Sequence, residues 1–148
     1  MRLRPSLLCV LPLLLLSLGC DEKLSDLAGP TPDLTPTFSS IQSQIFAAAD
    51  ASGRPACTNC HVRGGQAGAT GLFLGESGSY DSLVGRPART KAGEVLVIPG
   101  DPDNSYLVRK LEGGPNITGV RMPFSGPYLT TGQLRIIRRW IQEGAANN

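Results

Sequence analysis

One segment of five residues carries most of the chemistry that this sequence offers. Cys57-Thr58-Asn59-Cys60-His61 places two thiols beside an imidazole, and His61 is the only histidine in the 148 residues. Two cysteines separated by two residues and followed directly by histidine form the attachment motif of a c-type haem. In that motif the two thiols form thioether bonds to the macrocycle, and the imidazole is an axial ligand of the iron. The segment therefore predicts one covalently bound haem c.

A cysteine pair of this spacing also occurs in zinc sites and in redox dithiols. A structural zinc site usually needs four Cys or His ligands, and this chain has one histidine in total. A thioredoxin-like dithiol requires a long helix after the motif. Gly64, Gly65, Gly68 and Gly71 follow instead, and such a sequence favours a helix poorly. The residues therefore favour the hypothesis that this motif attaches a haem.

The N-terminal residues 1–19 have the pattern of an export signal. Arg2 and Arg4 precede an apolar run from Leu7 to Leu18, which is too short to span a membrane comfortably. Ser17-Leu18-Gly19-Cys20 resembles a bacterial lipoprotein signal, which predicts that Cys20 is lipidated. Cleavage by an ordinary signal peptidase is the alternative, because Ser17 stands where such signals prefer leucine. We expect an exported protein on the periplasmic side, held to a membrane by its lipid.

The remaining cysteines and charges restrict the class of protein further. Of four cysteines, Cys9 leaves with the signal, and the other three are assigned to lipid and haem, so none remains for a disulfide. Without Arg2 and Arg4, 12 basic residues balance 12 acidic ones. A balanced charge of this kind does not indicate a nucleic-acid-binding protein.

A tether, residues 20–37, and one domain, residues 38–148, are predicted after the signal. The tether is rich in proline, threonine and acidic residues, and it cannot bury enough apolar surface to offset the entropy of ordering it. The domain has about 110 residues, which suffice for a single core. Four helices and one strand are predicted in the domain. The helices run from Ser39 or Ser40 to Ala49, from Ser79 to Val84, from Asn104 to Glu112, and from Thr130 or Thr131 to Gly144. Asp103 is the predicted cap of the third helix, and the strand runs from Glu94 to Ile98.

Met122 is the candidate for the second axial ligand of the iron. His61 is the only histidine, so a second imidazole from the same chain is excluded, and Met122 is the only methionine besides the initiator. It lies between Gly119 and Pro123, which predict a loop. We expect Met122 to reach the iron from the face opposite His61. The alternative is that Met122 fills space in the core, as methionines usually do.

Three arginines flank the two ligand segments. Arg54 and Arg63 lie on either side of the haem motif, and Arg121 precedes Met122. Each is a candidate partner for a haem propionate or for acidic residues on a partner protein. The alternative is that they are ordinary solvated arginines.

The motifs together resemble a class I-type monohaem cytochrome c domain, as found in bacterial envelope lipoproteins, including many from planctomycetes and myxobacteria. The matching segments are residues 57–61, 97–107, 121–123, 126–127 and 136–145. The resemblance implies an all-α cytochrome c fold, with crossing N- and C-terminal helices and a loop-rich middle around one haem. It also implies that His61 and Met122 are the axial pair.

The chain departs from this family on the proximal side of the haem. Family members have a proline about a dozen residues after the histidine, and its carbonyl accepts the imidazole N–H. Here the next proline after His61 is Pro87, so the sequence assigns no acceptor. The segment 64–98 is also longer than in compact members.

The predicted function is one-electron transfer by a His/Met-ligated haem, so we expect an electron carrier rather than an enzyme. The predicted partners are a redox protein, either an oxidoreductase or another cytochrome, and the membrane, through the lipid on Cys20. Two alternatives remain. One is a haem-based sensor or peroxidase-like enzyme in which Met122 is displaceable. The other is a haem-free structural lipoprotein of the envelope with a Cys57–Cys60 bond.

Overall fold

The computed structural model describes residues 34–75 and 78–148. The predicted signal, the predicted lipidation site Cys20 and the part of the predicted tether before Leu34 lie outside the described residues. Within the two described ranges, no helix is long and apolar enough to cross a membrane.

The described residues form four α-helices joined by long irregular segments. They are α1 (Phe38–Ile41), α2 (Ser79–Leu83), α3 (Tyr106–Glu112) and α4 (Thr131–Gln142). A π-helical turn, Gln42–Phe46, continues α1, and two 3₁₀ turns follow at Cys57–Asn59 and Gly68–Thr70. Three isolated β-bridges join Val84 to Val97, Pro87 to Val95 and Ile98 to Asp101.

The prediction of an all-α cytochrome c fold is wrong. Helices of every type account for 35% of the described residues, and the longest has 12 residues. Between α2 and α3 the chain is organised by the β-bridges instead. The predicted strand 94–98 is likewise reduced to single bridges, because its partner segment contains Pro87, which has no N–H to extend a ladder. The structure is therefore mixed and mostly irregular, as 18 glycines and 12 prolines favour.

The last helix, α4, confirms its prediction. The Thr130 side chain accepts a hydrogen bond from the Gln133 amide at 3.1 Å, and the Gln133 side chain accepts one from the Thr130 amide at 2.9 Å. This reciprocal pair is a capping box, which satisfies two amides at the start of the helix. Ile137, Trp140 and Ile141 lie on the buried face, as their spacing predicts.

The first helix packs against the last one at one end of the core. The Phe38 ring lies 5.6 Å from the Trp140 ring and 5.2 Å from the Tyr80 ring, between centroids. Thr37 caps the start of α1, because its side chain accepts a hydrogen bond from the Ser40 amide at 3.3 Å. Asn148 satisfies two more amides there: its side-chain oxygen accepts from the Phe38 amide at 3.0 Å, and its backbone oxygen accepts from the Ser39 amide at 2.8 Å. Residues close to the two ends of the described chain therefore fix each other.

Two helices differ from their predicted limits. The first helical segment begins at Phe38 and ends at Phe46, whereas the prediction was a helix from Ser39 or Ser40 to Ala49. The third helix begins at Tyr106 rather than Asn104. Asp103 does not cap it, because the Asp103 carboxylate pairs with Arg138 instead.

Candidate functional site

A cavity of about 590 Å³ brings together the predicted site residues. Cys57, Cys60 and His61 line it from one segment, and Met122 lines it from another, far along the chain. The volume lies within the range of small-molecule and cofactor sites. Most of the remaining wall is apolar, with Phe46, Leu74, Leu96, Leu107, Leu111 and Phe124 among its side chains.

The two cysteines lie on a short turn at the wall of the cavity. The 3₁₀ turn Cys57–Asn59 is closed by hydrogen bonds to the Cys57 carbonyl from the amides of Cys60, at 3.2 Å, and His61, at 2.9 Å. Cys57 is half-buried, Cys60 is exposed, and both are free thiols. Burial raises the pKa of the Cys57 thiol, although the charge of Arg54 opposes it. A redox dithiol requires the opposite shift, so this environment does not favour that alternative.

His61 is held by the loop that follows the motif. Its Nδ1 lies 3.4 Å from the carbonyl oxygen of Leu72, and its own carbonyl accepts from the Leu74 amide at 2.7 Å. In the tautomer that donates from Nδ1, the lone pair lies on Nε2 and is available to a metal. Leu72 thus provides the acceptor that the sequence does not assign. Burial lowers the pKa of His61, against the effect of the Leu72 hydrogen bond, so the imidazole is neutral at pH 7.

Met122 lies in an irregular segment that is fixed to α3. The Met122 amide donates to the Lys110 carbonyl at 2.8 Å, and the Met122 side chain packs partly buried against the core. The segment has neither helix nor strand, so the predicted loop is confirmed. Met122 therefore reaches the cavity from a backbone that is anchored to a helix.

Arg54 does not face the cavity or the solvent. It is fully buried, and its guanidinium donates to the carbonyls of Ile45 and Ala48, both at 3.0 Å, and Pro55 at 3.2 Å. Its Nε also donates to the Asp50 carboxylate at 2.8 Å. The expectation that Arg54 binds a propionate or an acidic partner is wrong. Arg54 instead joins the end of the first helical segment to the start of the haem motif.

Asp50 completes this buried connection. Its carboxylate accepts hydrogen bonds from the amide and hydroxyl of Ser52 as well as from Arg54. Burial by itself raises the pKa of Asp50, but these hydrogen bonds and the Arg54 charge outweigh it and lower the pKa to about 2. The Asp50 carboxylate is therefore ionised throughout the physiological range.

The other two flanking arginines stack on aromatic rings. The Arg63 guanidinium lies 5.0 Å from the centroid of the Phe73 ring, and the Arg121 guanidinium lies 4.0 Å from that of the Tyr128 ring. Neither arginine lines the cavity. Cation–π contacts of this type stabilise the local fold. The two arginines thus support the motif loop and the methionine loop rather than the cavity wall.

Two cationic residues that sequence reasoning did not assign to the site line the cavity, Arg89 and Lys110. Arg89 comes from the long segment between α2 and α3, and its side chain lies against the backbone of Gly71, where a Cβ would leave no room for it. Lys110 comes from α3. The sequence around Arg89 and Lys110 does not predict their place in the site, because no local pattern indicates that their segments pack near Cys57–His61.

The donor set restricts the chemistry of the cavity. Sulfur and imidazole ligands suit transition metals rather than magnesium or calcium. In residues 34–75 and 78–148, no group of three or more His, Cys, Asp or Glu side chains is placed to hold a metal ion, so a zinc site has no support there. Comparisons with models of known protein families, with curated proteins and with solved structures find no match to this chain. Its function is therefore inferred from the residues around the cavity.

Proposed function

We propose that this protein transfers single electrons through one c-type haem held in the cavity that Cys57, Cys60, His61 and Met122 line. The observation that carries the proposal is that these four side chains share one cavity although Met122 is distant from the motif in sequence. Two thiols, one imidazole and one thioether are the groups that attach a haem covalently and fill both axial positions of its iron.

The residues around the cavity fit such a group. Its volume of about 590 Å³ and its mainly apolar walls suit a large flat apolar ligand. Cys57 and Cys60 would hold the ligand by thioether bonds, and His61 and Met122 would be the axial pair. When bound, the haem supplies a one-electron couple between ferric and ferrous iron.

The protein's own residues favour electron transfer over catalysis. The Leu72 carbonyl orients the His61 ring, and the Lys110 carbonyl holds the Met122 backbone. If His61 and Met122 held the iron, these anchored residues would leave no coordination site open for a substrate. The apolar walls exclude water and limit the rearrangement that accompanies a change of charge. Arg89 is the cation placed to meet a carboxylate group of the ligand.

The mouth of the cavity offers a route for electrons. Phe124 and Val120 line the cavity and are 71% and 51% exposed. Cys60 is also exposed. A redox partner, either an oxidoreductase or another cytochrome, would dock near this edge, since electron transfer requires a close approach to the haem. Export and lipidation of Cys20 would keep the protein beside a membrane on its periplasmic side.

The experiment that tests this function is expression of the full chain together with a haem c maturation system. We expect a mass increase of one haem that survives acid extraction, and a reversible redox titration that fits a single one-electron couple. The double variant Cys57→Ala/Cys60→Ala is the control and should lose the covalent haem. A chain that acquires no haem under these conditions would contradict the proposal and leave a structural lipoprotein as the alternative.

A further inference from the structure

The segment 118–122 is attached to α3 by several hydrogen bonds. The Lys110 ammonium donates to the carbonyls of Thr118, at 3.0 Å, and Val120. The Thr118 amide donates to the Tyr106 hydroxyl at 2.8 Å, and the Met122 amide donates to the Lys110 carbonyl at 2.8 Å. Lys110 therefore contacts this segment through both its side chain and its backbone.

The end of α3 explains why the segment binds there. The helix ends at Glu112, and Gly113 adopts a left-handed conformation, φ 74°. The last carbonyls of a helix have no partner within it. The Met122 amide donates a hydrogen bond to the Lys110 carbonyl, and the Arg121 Nε donates one to the Leu111 carbonyl at 2.7 Å. The methionine segment is thus the cap of α3, and the position of Met122 depends on that helix end.

The side chain of Lys110 has no carboxylate partner among residues 34–75 and 78–148. Its two carbonyl partners belong to residues that are themselves exposed, Thr118 and Val120. A charged donor forms stronger hydrogen bonds to carbonyls than a neutral one. The ammonium is therefore the main side-chain restraint on the exposed part of the segment.

We propose that Lys110 is a positioning residue for Met122, which determines how readily the thioether leaves the iron. This inference rests on the proposed function, because it assigns a role to Lys110 at the same axial site. The Lys110 ammonium donates hydrogen bonds to the carbonyls of Thr118 and Val120, and the Lys110 carbonyl accepts one from the Met122 amide. Together these bonds hold the Met122 thioether at the cavity wall. Loss of the ammonium frees the segment on one side of Met122 and removes no hydrogen bond of Cys57, Cys60 or His61.

The test compares Lys110→Met with Lys91→Met in the full haem-loaded chain. Methionine keeps the length of the lysine stem but removes the ammonium. Lys91 is the matched control, since its ammonium also donates to a carbonyl of this loop, that of Asn116, which is farther from Met122. In Lys110→Met we expect cyanide to displace Met122 about tenfold faster, the factor that corresponds to one charge-assisted hydrogen bond. The far-red sulfur-to-iron band should also disappear at a lower temperature, and Lys91→Met should behave as the unchanged protein.

A measurement without haem separates this inference from the proposed function. Hydrogen exchange of the Thr118 and Met122 amides in the full chain should become faster in Lys110→Met and not in Lys91→Met. Equal exchange in all three proteins, or equal cyanide rates, would overturn the role of Lys110. Absence of covalent haem would contradict the proposed function, while the exchange result would still decide the restraint. If Lys110→Met does not fold, Lys110→Gln takes its place in the same comparison.

Discussion

The carbonyl oxygen of Leu72 lies 3.4 Å from Nδ1 of His61. This contact connects the haem motif to the glycine-rich segment that follows it. A backbone acceptor at Nδ1 favours the tautomer that donates from Nδ1 and orients the ring, so that the lone pair on Nε2 is available to a metal. The contact also buries a neutral imidazole, and this burial has a consequence for the pH dependence of stability.

The protein without haem should lose stability as the pH falls below the ordinary pKa of histidine, 6.5. Burial lowers the pKa of His61 in the folded state, so protons bind the unfolded state more readily. The stability contributed by the neutral ring is complete above pH 6.5 and is lost as the pH falls toward the lowered value. Urea denaturation between pH 7.5 and 5 measures this. His61→Gln should lack the dependence, because His61 is the only histidine. An identical slope in the variant would contradict the prediction.

Arg54→Met should destabilise the protein by about 3 kcal/mol or more, because it leaves the Asp50 charge and several carbonyls without their partner in a buried place. Arg139→Met is the matched control: Arg139 pairs with Glu143, but the two side chains are 68% and 51% exposed. Exposed pairs contribute at most about 1 kcal/mol. Urea denaturation of both variants gives the comparison. Similar losses in the two would show that Arg54 does not join the end of the first helical segment to the motif in the way its contacts indicate.

Arg89→Gln should make the midpoint potential of the haem-loaded protein depend on pH between about 5 and 8. A cation beside a carboxylate lowers its pKa, so that the carboxylate stays ionised through this range. Without Arg89 the carboxylate of the ligand would titrate there and change the potential. Arg86→Gln is the control, since Arg86 lies in the same segment but does not line the cavity. Equal pH profiles for the two variants would exclude Arg89 as the partner.

Asn148→Ala should cost about 1 kcal/mol, the usual net contribution of one hydrogen bond, because it leaves the Phe38 amide without its acceptor. The Asn148 side chain accepts from the Phe38 amide at 3.0 Å. Asn147→Ala is the control, because Asn147 is exposed and its side chain makes no such bond. Thermal unfolding followed by circular dichroism compares them. The prediction fails if the Asn147 variant loses as much stability as the Asn148 variant.

Local signals in the sequence predicted the parts of the structure that depend on local chemistry. The cap and the spacing of α4 are contained within its own residues. Met122 was identified by elimination among possible ligands. Its presence in the same cavity as His61 agrees with that choice, and ligation itself stays a prediction.

The features that sequence reasoning missed depend on contacts between distant residues. The architecture was inferred from short motifs, and these do not specify how the segment between α2 and α3 is organised. The acceptor for His61 is a backbone carbonyl, which any residue type supplies, so Leu72 carries no signal. Arg54 looks like any surface arginine until the carbonyls of Ile45 and Ala48 are seen around it.

The most direct test of the central claim is the spectrum of the oxidised, haem-loaded protein and of its Met122→Ala and Met122→His variants. The proposed His61/Met122 ligation predicts a low-spin spectrum with the far-red sulfur-to-iron band and slow binding of carbon monoxide after reduction. Met122→Ala should lose the band and bind carbon monoxide quickly, and Met122→His should remain low-spin at a lower potential. A high-spin spectrum in the unchanged protein, with no effect of either substitution, would contradict axial ligation by Met122 and the electron-transfer function based on it.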